Sequence, residues 1–123
     1  MIEKTINLFT DKEEEFVSIL VRIGTKQTIA KTLVFLARLK TATSREIEHG
    51  ADLRQPEVSL AVKYLSEKGW IESRESVTPM KGRPIKIWTL NVPVDKILDA
   101  ISREKQDELN ARLAAIRRVR SFA

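Results

Sequence analysis

Three polar residues recur at intervals of four in one segment of the chain: Gln55, Ser59 and Lys63. Side chains at this spacing lie together on one side of a helix. A glutamine amide can pair with the edge of adenine, and hydroxyl and ammonium groups suit phosphate oxygens. The preceding Arg54 suits guanine or a phosphate. As a hypothesis about their roles, these residues could contact the bases and phosphates of a nucleic acid from one side of a helix.

A second basic group occurs in the stretch KGRPIKIWTL, which contains Lys81, Arg83 and Lys86. WIESRESV before it and IKIWTL within it have the composition of strands, and TPMKGRP between them is typical of a turn. Gly82 permits a tight tip, and Pro84 begins the return strand without donating a ladder hydrogen bond. The sequence therefore predicts a hairpin with a basic tip over residues 77–86.

The elements that must position these side chains begin with a short helix in TATSREIEHG. Thr43 and Glu46 have the spacing of a capping box, and Gly50 is predicted to end the helix in a left-handed conformation. The free N–H groups at the start of this helix can bind a phosphate. We expect Thr43, Ser44 and Arg45 to take part in that contact.

A longer helix is predicted over about residues 55–68, with Pro56 in its first turn. Gly69 is predicted to end it, with Trp70 covering Leu65. Two helices joined by a short turn form a helix-turn-helix. One apolar stripe would face the core on the side away from Gln55, Ser59 and Lys63; it consists of Val58, Ala61, Val62 and Leu65.

Charge along this helix pair is balanced, because five basic and five acidic residues lie between Lys40 and Lys68. Glu57 suits the positive end of the longer helix, yet it would approach phosphates there unless it accepts a bond from cytosine. Both specificity and repulsion remain open for Glu57.

Helices are also predicted on both sides of this region. Before it, residues 10–24 have a capping box at Thr10 and Glu13, and the following helix is apolar on two faces. The first helix is predicted to bury Phe16, Ile19, Leu20 and Ile23.

The last predicted helix runs from Val94 to Arg120 and carries two separate apolar patches. The first contains Ile97, Leu98 and Ile101. A single domain of this size cannot easily bury the second apolar patch as well. Pairing with a second copy of the chain is therefore expected for Leu109, Leu113 and Ile116.

Composition limits the class of function. The chain has 123 residues, 22 Lys and Arg against 17 Asp and Glu, a formal charge of +5 and a pI near 9.7, which favours a polyanionic partner. It contains no cysteine, and its single histidine, His49, belongs to no catalytic or metal-binding motif. We expect no enzyme activity, metal or cofactor. Because the first residues lack a long apolar stretch, we expect a cytoplasmic protein without a membrane span.

VSLAVKYLSEKGWIE followed by KGRPIKIWTL resembles winged helix-turn-helix transcriptional regulators of the MarR, ArsR and TrmB-like kind, especially compact archaeal-type members. The resemblance implies an α+β, mostly helical fold with a β-hairpin wing and extra helices at both ends. It implies an N-terminal extension and helix over 1–24, a DNA-binding domain over 25–92 and a dimerisation helix over 93–123.

In this family the second helix of the pair enters the major groove of double-stranded DNA, and the wing reaches flanking backbone or the minor groove. The resemblance thus implies a recognition face with Arg54, Gln55, Ser59 and Lys63. A homodimer would present two recognition helices roughly 34 Å apart, about one turn of DNA. The absence of cysteine excludes thiolate metal sensing of the ArsR type. A small-molecule effector between dimer helices, as in MarR-like proteins, is compatible with the sequence, which identifies none.

Two other interpretations remain open at this stage. The winged helix can be a scaffold that binds protein within the transcription or chromatin machinery. The hairpin tip can be a solvated turn with incidental charge. Trp70 and Trp88 are expected in the core, with Trp88 an alternative candidate for lining an effector pocket.

Overall fold

A computed structural model describes residues 9–76 and 84–123. The chain forms two compact units, Met1–Val92 and Pro93–Ala123. The first unit contains, in order, α1 (Asp11–Arg22), α2 (Gln27–Leu39), β1 (Thr41–Thr43), α3 (Ser44–Ala51), α4 (Gln55–Glu67), β2 (Ile71–Ser76) and β3 (Ile85–Leu90). The second contains α5 (Val94–Arg120). Within the described ranges, no helix combines the length and apolar character that crossing a membrane requires.

Helix α1 has the predicted start but a different buried stripe. Thr10 Oγ1 accepts a hydrogen bond from Glu13 N at 3.1 Å, and Thr10 N donates to Glu13 Oε1 at 2.9 Å, so the capping box is confirmed. Val17 and Leu20 are buried, whereas Ile19 and Ile23 are exposed. The predicted stripe was therefore wrong at these two isoleucines. Helix α1 packs against α2, and its buried residues are Val17 and Leu20, with the predicted Phe16 half-buried.

Helix α2 is the centre of the first unit, because it contacts α1, α3 and α4. Leu33, Val34, Phe35 and Leu36 are all buried, which is slightly more than one turn of the helix. The prediction of two apolar faces is thus confirmed. The buried Thr32 satisfies its hydroxyl by donating to the carbonyl oxygen of Thr28 at 2.8 Å.

Helix α3 has the predicted capping box at its start and an unpredicted end. Thr43 N donates to Glu46 Oε1 at 2.8 Å, and Glu46 N donates to Thr43 Oγ1 at 3.1 Å. Gly50 does not end the helix, contrary to the prediction. It lies inside α3 and is buried, and the left-handed residue after the helix is Asp52, with φ 56°. An aspartate can adopt this conformation because its short polar side chain tolerates it.

Helix α4 buries the predicted stripe in full, since Val58, Ala61, Val62 and Leu65 are each at most 5% exposed. Its end is the predicted Schellman motif at Gly69, which has φ 81°. Trp70 N donates to Leu65 O at 3.1 Å, and Gly69 N donates to Ser66 O at 3.0 Å.

Strands β2 and β3 form the predicted antiparallel hairpin, with Ile71 opposite Leu90 and Ser76 opposite Ile85. The sequence did not predict β1, which pairs with the other side of β3 and gives the strand order β1-β3-β2. In this pairing Ala42 lies opposite Trp88, and both are buried. The predicted basic tip covered residues 77–86, of which 77–83 lie outside the described residues. Lys86, which was assigned to this tip, lies in strand β3.

Helix α5 has the predicted bounds, and Pro93 precedes it as the N-cap residue. Ile97 and Ile101 are buried and Leu98 is half-buried. The second apolar patch is open to solvent in the single chain: Leu109, Leu113 and Ile116 are 48%, 43% and 53% exposed. As predicted, the chain buries most of the first apolar patch and leaves the second exposed.

Candidate nucleic-acid interface

A groove of about 460 Å³ runs between α4, β3 and the start of α3. Four side chains from three separate segments that the sequence singled out line this groove together: Ser44, Ser59, Lys63 and Lys86. Two ammonium groups and two hydroxyls around one groove can hold an anionic oxygen through charge-assisted hydrogen bonds. The remaining lining residues are Val62, Ser66, Glu67 and Trp88.

A hydrogen bond fixes one wall of the groove. Trp88 Nε1 donates to Ser44 Oγ at 3.0 Å, which ties the middle strand of the sheet to the first residue of α3. The Ser44 hydroxyl acts as acceptor in this bond, so its own proton is available for a further partner. Lys86 Nζ lies 5.5 Å from the centre of the Trp88 ring, within the range of a cation–π contact. Trp88 therefore positions both a hydroxyl and an ammonium group at the groove.

The start of α4 presents Arg54 and Gln55 outside this groove. Both are exposed, and the Arg54 side chain keeps 85% of its accessible surface. Glu57 has a defined structural role, because its Oε1 accepts a hydrogen bond from Arg54 N at 2.8 Å. Its Oε2 lies 3.8 Å from Arg54 Nη2, so the carboxylate also partly neutralises the guanidinium. Glu57 thus caps the helix that carries the candidate residues.

The start of α3 presents Arg45 in the same way. Arg45 is exposed in the first turn, while the Thr43 side chain is engaged in the capping box. Thr43 therefore orients the helix and offers a half-buried hydroxyl, and Arg45 is the freely accessible cation of this turn. Lys81 and Arg83, the basic residues assigned to the hairpin tip, lie outside the described residues.

Sequence reasoning missed two apolar residues on the outer side of α4. Leu60 is 67% exposed and Tyr64 is 37% exposed. The buried stripe at 58, 61, 62 and 65 already excludes both positions from the core, so its spacing contained the signal. Tyr64 is partly covered: its ring contacts Trp70 edge-on at 6.5 Å, and Lys68 Nζ lies 5.5 Å from its centre.

A separate cavity of about 630 Å³ lies between α1, α2 and the end of α3. His49 and Lys31 line it beside Gln27 and apolar side chains of α1. No group of three or more His, Asp or Glu side chains that could hold a metal ion occurs within residues 9–76 and 84–123. The cavity is thus a hollow of mixed polarity, and its residues form no recognisable catalytic arrangement.

No protein-family model and no curated protein matches the sequence. Solved structures do resemble the chain. A protein from Methanosarcina mazei Go1, described as a possible transcriptional regulator, is 16% identical with a TM-score of 0.59; the match covers 81% of this chain and 85% of that one. The MarR family regulator NMB1585 from Neisseria meningitidis is 20% identical with a TM-score of 0.50, covering 88% and 84%.

A third similar structure is that of NadR in complex with 4-hydroxyphenylacetate. It is 14% identical with a TM-score of 0.52, and the match covers 98% of this chain and 91% of that one. None of these three proteins is described as an enzyme. The helix order of the first unit, its three-stranded sheet and these similarities confirm the expected resemblance: the chain has the winged-helix fold of MarR-type regulators.

Proposed function

We propose that the chain is a sequence-specific regulator of transcription that binds double-stranded DNA. Helix α4 would enter the major groove, and the wing, predicted over residues 77–86 of the β2–β3 hairpin, would reach flanking backbone or the minor groove. The fold supports this proposal, as do two similar structures, one described as a possible transcriptional regulator and the other as a MarR family regulator. Because a fold alone does not determine function, the proposal depends on the groove beside α4.

The groove is the observation that carries the proposal. Lys63 and Lys86 come from a helix and a strand that are distant in sequence, yet they line the same opening with Ser44 and Ser59. A DNA phosphate fits this set, because ammonium groups supply charge and hydroxyls supply directed hydrogen bonds. Among the residues that the structure describes, Glu67 is the one acidic residue that lines this groove. Such contacts would fix the position of α4 on the duplex.

Base recognition is assigned to the start of α4. The exposed Gln55 amide would pair with adenine, and the Arg54 guanidinium would contact guanine or a phosphate. Thr43, Ser44 and Arg45, at the first turn of α3, would contact backbone phosphate. Glu57 would act mainly by capping α4, because its carboxylate already accepts the Arg54 N–H.

We further propose a homodimer formed through α5. Its support is the exposed row of Leu109, Leu113 and Ile116, which repeats at helical spacing. Two copies would bind a palindromic site and act by occluding a promoter or recruiting other factors. A small-molecule effector remains a prediction, for which NadR with its bound 4-hydroxyphenylacetate is a precedent among the similar structures.

The test is a fluorescence-anisotropy titration of labelled mixed-sequence duplex at several salt concentrations. We would compare the parent with a Lys63→Ala, Lys86→Ala double variant and a matched control, Lys12→Ala, Lys26→Ala. The control removes two exposed lysines of the same unit that lie outside the groove. Each phosphate contact contributes about one unit to the slope of log affinity against log salt. We expect the groove variant to lose about two units of slope for each copy of the chain in the complex, and the control to keep the parental slope.

A parallel Lys81→Ala, Arg83→Ala variant tests the hairpin tip, and we expect it also to lose about two units of slope for each copy of the chain in the complex. The proposal fails if the parent does not bind duplex even at low salt, or if groove and control variants lose slope equally. In the first case the alternative role as a protein-binding winged helix would be pursued by affinity capture.

A further inference from the structure

Leu60 is the most exposed large apolar side chain of α4, with 67% of its surface open to solvent. The other aliphatic residues of this helix behave differently, since Val58, Val62 and Leu65 are all buried. Isolated surface leucines are common in proteins and usually require no explanation. Leu60 differs because of the side of the helix on which it lies.

The geometry of α4 places Leu60 among the candidate DNA-contacting residues. The buried stripe defines the inner side of the helix, and Leu60 lies three residues before Lys63, so the two side chains are neighbours on the outer side. Ser59 precedes Leu60 directly, and Pro56, four residues earlier, is also exposed. The outer side of α4 is therefore a polar surface, with Lys63 and Glu67 as its charged groups and Leu60 as its one projecting aliphatic side chain.

The major groove offers one apolar group on its base edges, the C5-methyl group of thymine. A leucine on a helix lying in that groove gains most by packing against this methyl group. We propose that Leu60 contacts a thymine methyl and makes thymine preferred at one position of each half-site. This inference rests on the proposed function, because it requires α4 to lie in the major groove.

A protein partner fits Leu60 less well. Protein interfaces bury about 800 Å² on each side, whereas the neighbouring apolar residue, Tyr64, is already covered in part by Trp70 and Lys68. The basic character of Lys63 beside Leu60 also matches a polyanion. DNA is thus the occupant that agrees with both the apolar and the charged residues of this surface.

The test begins with selection of bound duplexes from a random library by the parent protein. Each thymine of the selected site is then replaced by deoxyuridine, which removes only the methyl group. We would measure affinities for the parent, for Leu60→Ala and for Leu39→Ala, which shortens another exposed leucine at the end of α2. Sedimentation and thermal unfolding would confirm that each variant folds and keeps the parental oligomeric state.

We expect one thymine position of each half-site to be sensitive. A single deoxyuridine at that position in one half-site should weaken parental binding about threefold to fivefold, the effect of removing one buried methyl group. The same substitution should leave the DNA affinity of Leu60→Ala unchanged, while the affinity of Leu39→Ala should fall as much as that of the parent. The inference is overturned if every substitution affects Leu60→Ala as much as the parent. It is also overturned if Leu60→Ala changes the oligomeric state, which would place Leu60 in a contact between copies. If the library yields no bound duplex, the proposed function itself fails.

Discussion

At Gly50, packing against a neighbouring helix explains the glycine, and backbone conformation does not. It lies within α3 and not at its end, and its backbone does not have a positive φ. A methyl group added there would overlap the Phe35 ring of α2. Absence of a side chain thus lets α3 lie close to α2, which sets the position of the helix whose first turn borders the groove.

Substitution Gly50→Ala should therefore lower the free energy of unfolding by about 1–3 kcal/mol, the usual cost of overpacking a core. The measurement is urea unfolding followed by circular dichroism. Phe35→Leu would open space at this point, so the double variant should lose less stability than the two single losses added together. This account of the contact would be contradicted if the two losses of unfolding free energy simply added in the double variant. It would also be contradicted if Gly50→Ala were as stable as the parent.

Residue roles were predicted well where local chemistry determines them and less well where packing does. Thr43 and Glu46 form the expected capping box because both partners lie within one turn. Gly50 was misassigned because a glycine near a helix end usually marks a left-handed residue, and its contact with Phe35 is fifteen positions distant in sequence. The meeting of Lys63 with Lys86 also depends on tertiary structure.

At the scale of elements, α4 owes its end to Gly69. This residue has φ 81°, and nothing lies within 4 Å of the position that a Cβ atom would occupy. The Schellman hydrogen bonds at this point direct the chain from α4 into β2. Any effect of a side chain at position 69 must therefore come from the backbone, not from crowding.

We expect Gly69→Ala to cost about 1–2 kcal/mol of unfolding free energy, because an L-residue other than glycine is strained at positive φ. Gly69→Asn should cost clearly less, since asparagine tolerates this conformation better. Chemical denaturation of the three proteins measures both values. Equal losses for alanine and asparagine would indicate a steric cause and would be inconsistent with the open space around this residue.

The elements follow from the sequence wherever periodicity and end signals agree. The bounds of α5 and the buried stripe of α4 were predicted, because uninterrupted spacing and flanking Pro93 or Gly69 define them. Strand β1 was missed: three residues carry too little periodicity, and β1 exists only because it pairs with β3. In α1, Ile19 and Ile23 fit a helical period equally well, and only contact with α2 selected Val17 instead.

At the scale of the whole molecule, α5 presents an apolar row that the single chain leaves exposed. Leu109, Leu113 and Ile116 lie on one side of the helix, whereas Ala111 lies on the other. If two copies pair through this row, a charge at its centre would be buried without a partner and would break the contact. A charge on the opposite side would remain in water.

Leu113→Glu is therefore expected to convert a dimer into a monomer, and Ala111→Glu to leave the dimer intact. Sedimentation-velocity ultracentrifugation over a concentration series distinguishes these outcomes. A monomer also halves the number of phosphate contacts per complex, so duplex binding should become weaker and less sensitive to salt. A parent protein that sediments as a monomer at all concentrations would exclude the homodimer.

The measurement that tests the central claim most directly is a two-dimensional NMR titration of the ¹⁵N-labelled protein with duplex DNA. We expect the largest shift changes at Gln55, Ser59 and Lys63 on α4 and at Lys86 on β3, with little change at the outer side of α1 around Ile19. This pattern would identify the outer face of α4 and the adjoining groove as the DNA interface. Changes centred on α1, with α4 and Lys86 unaffected, would contradict the account.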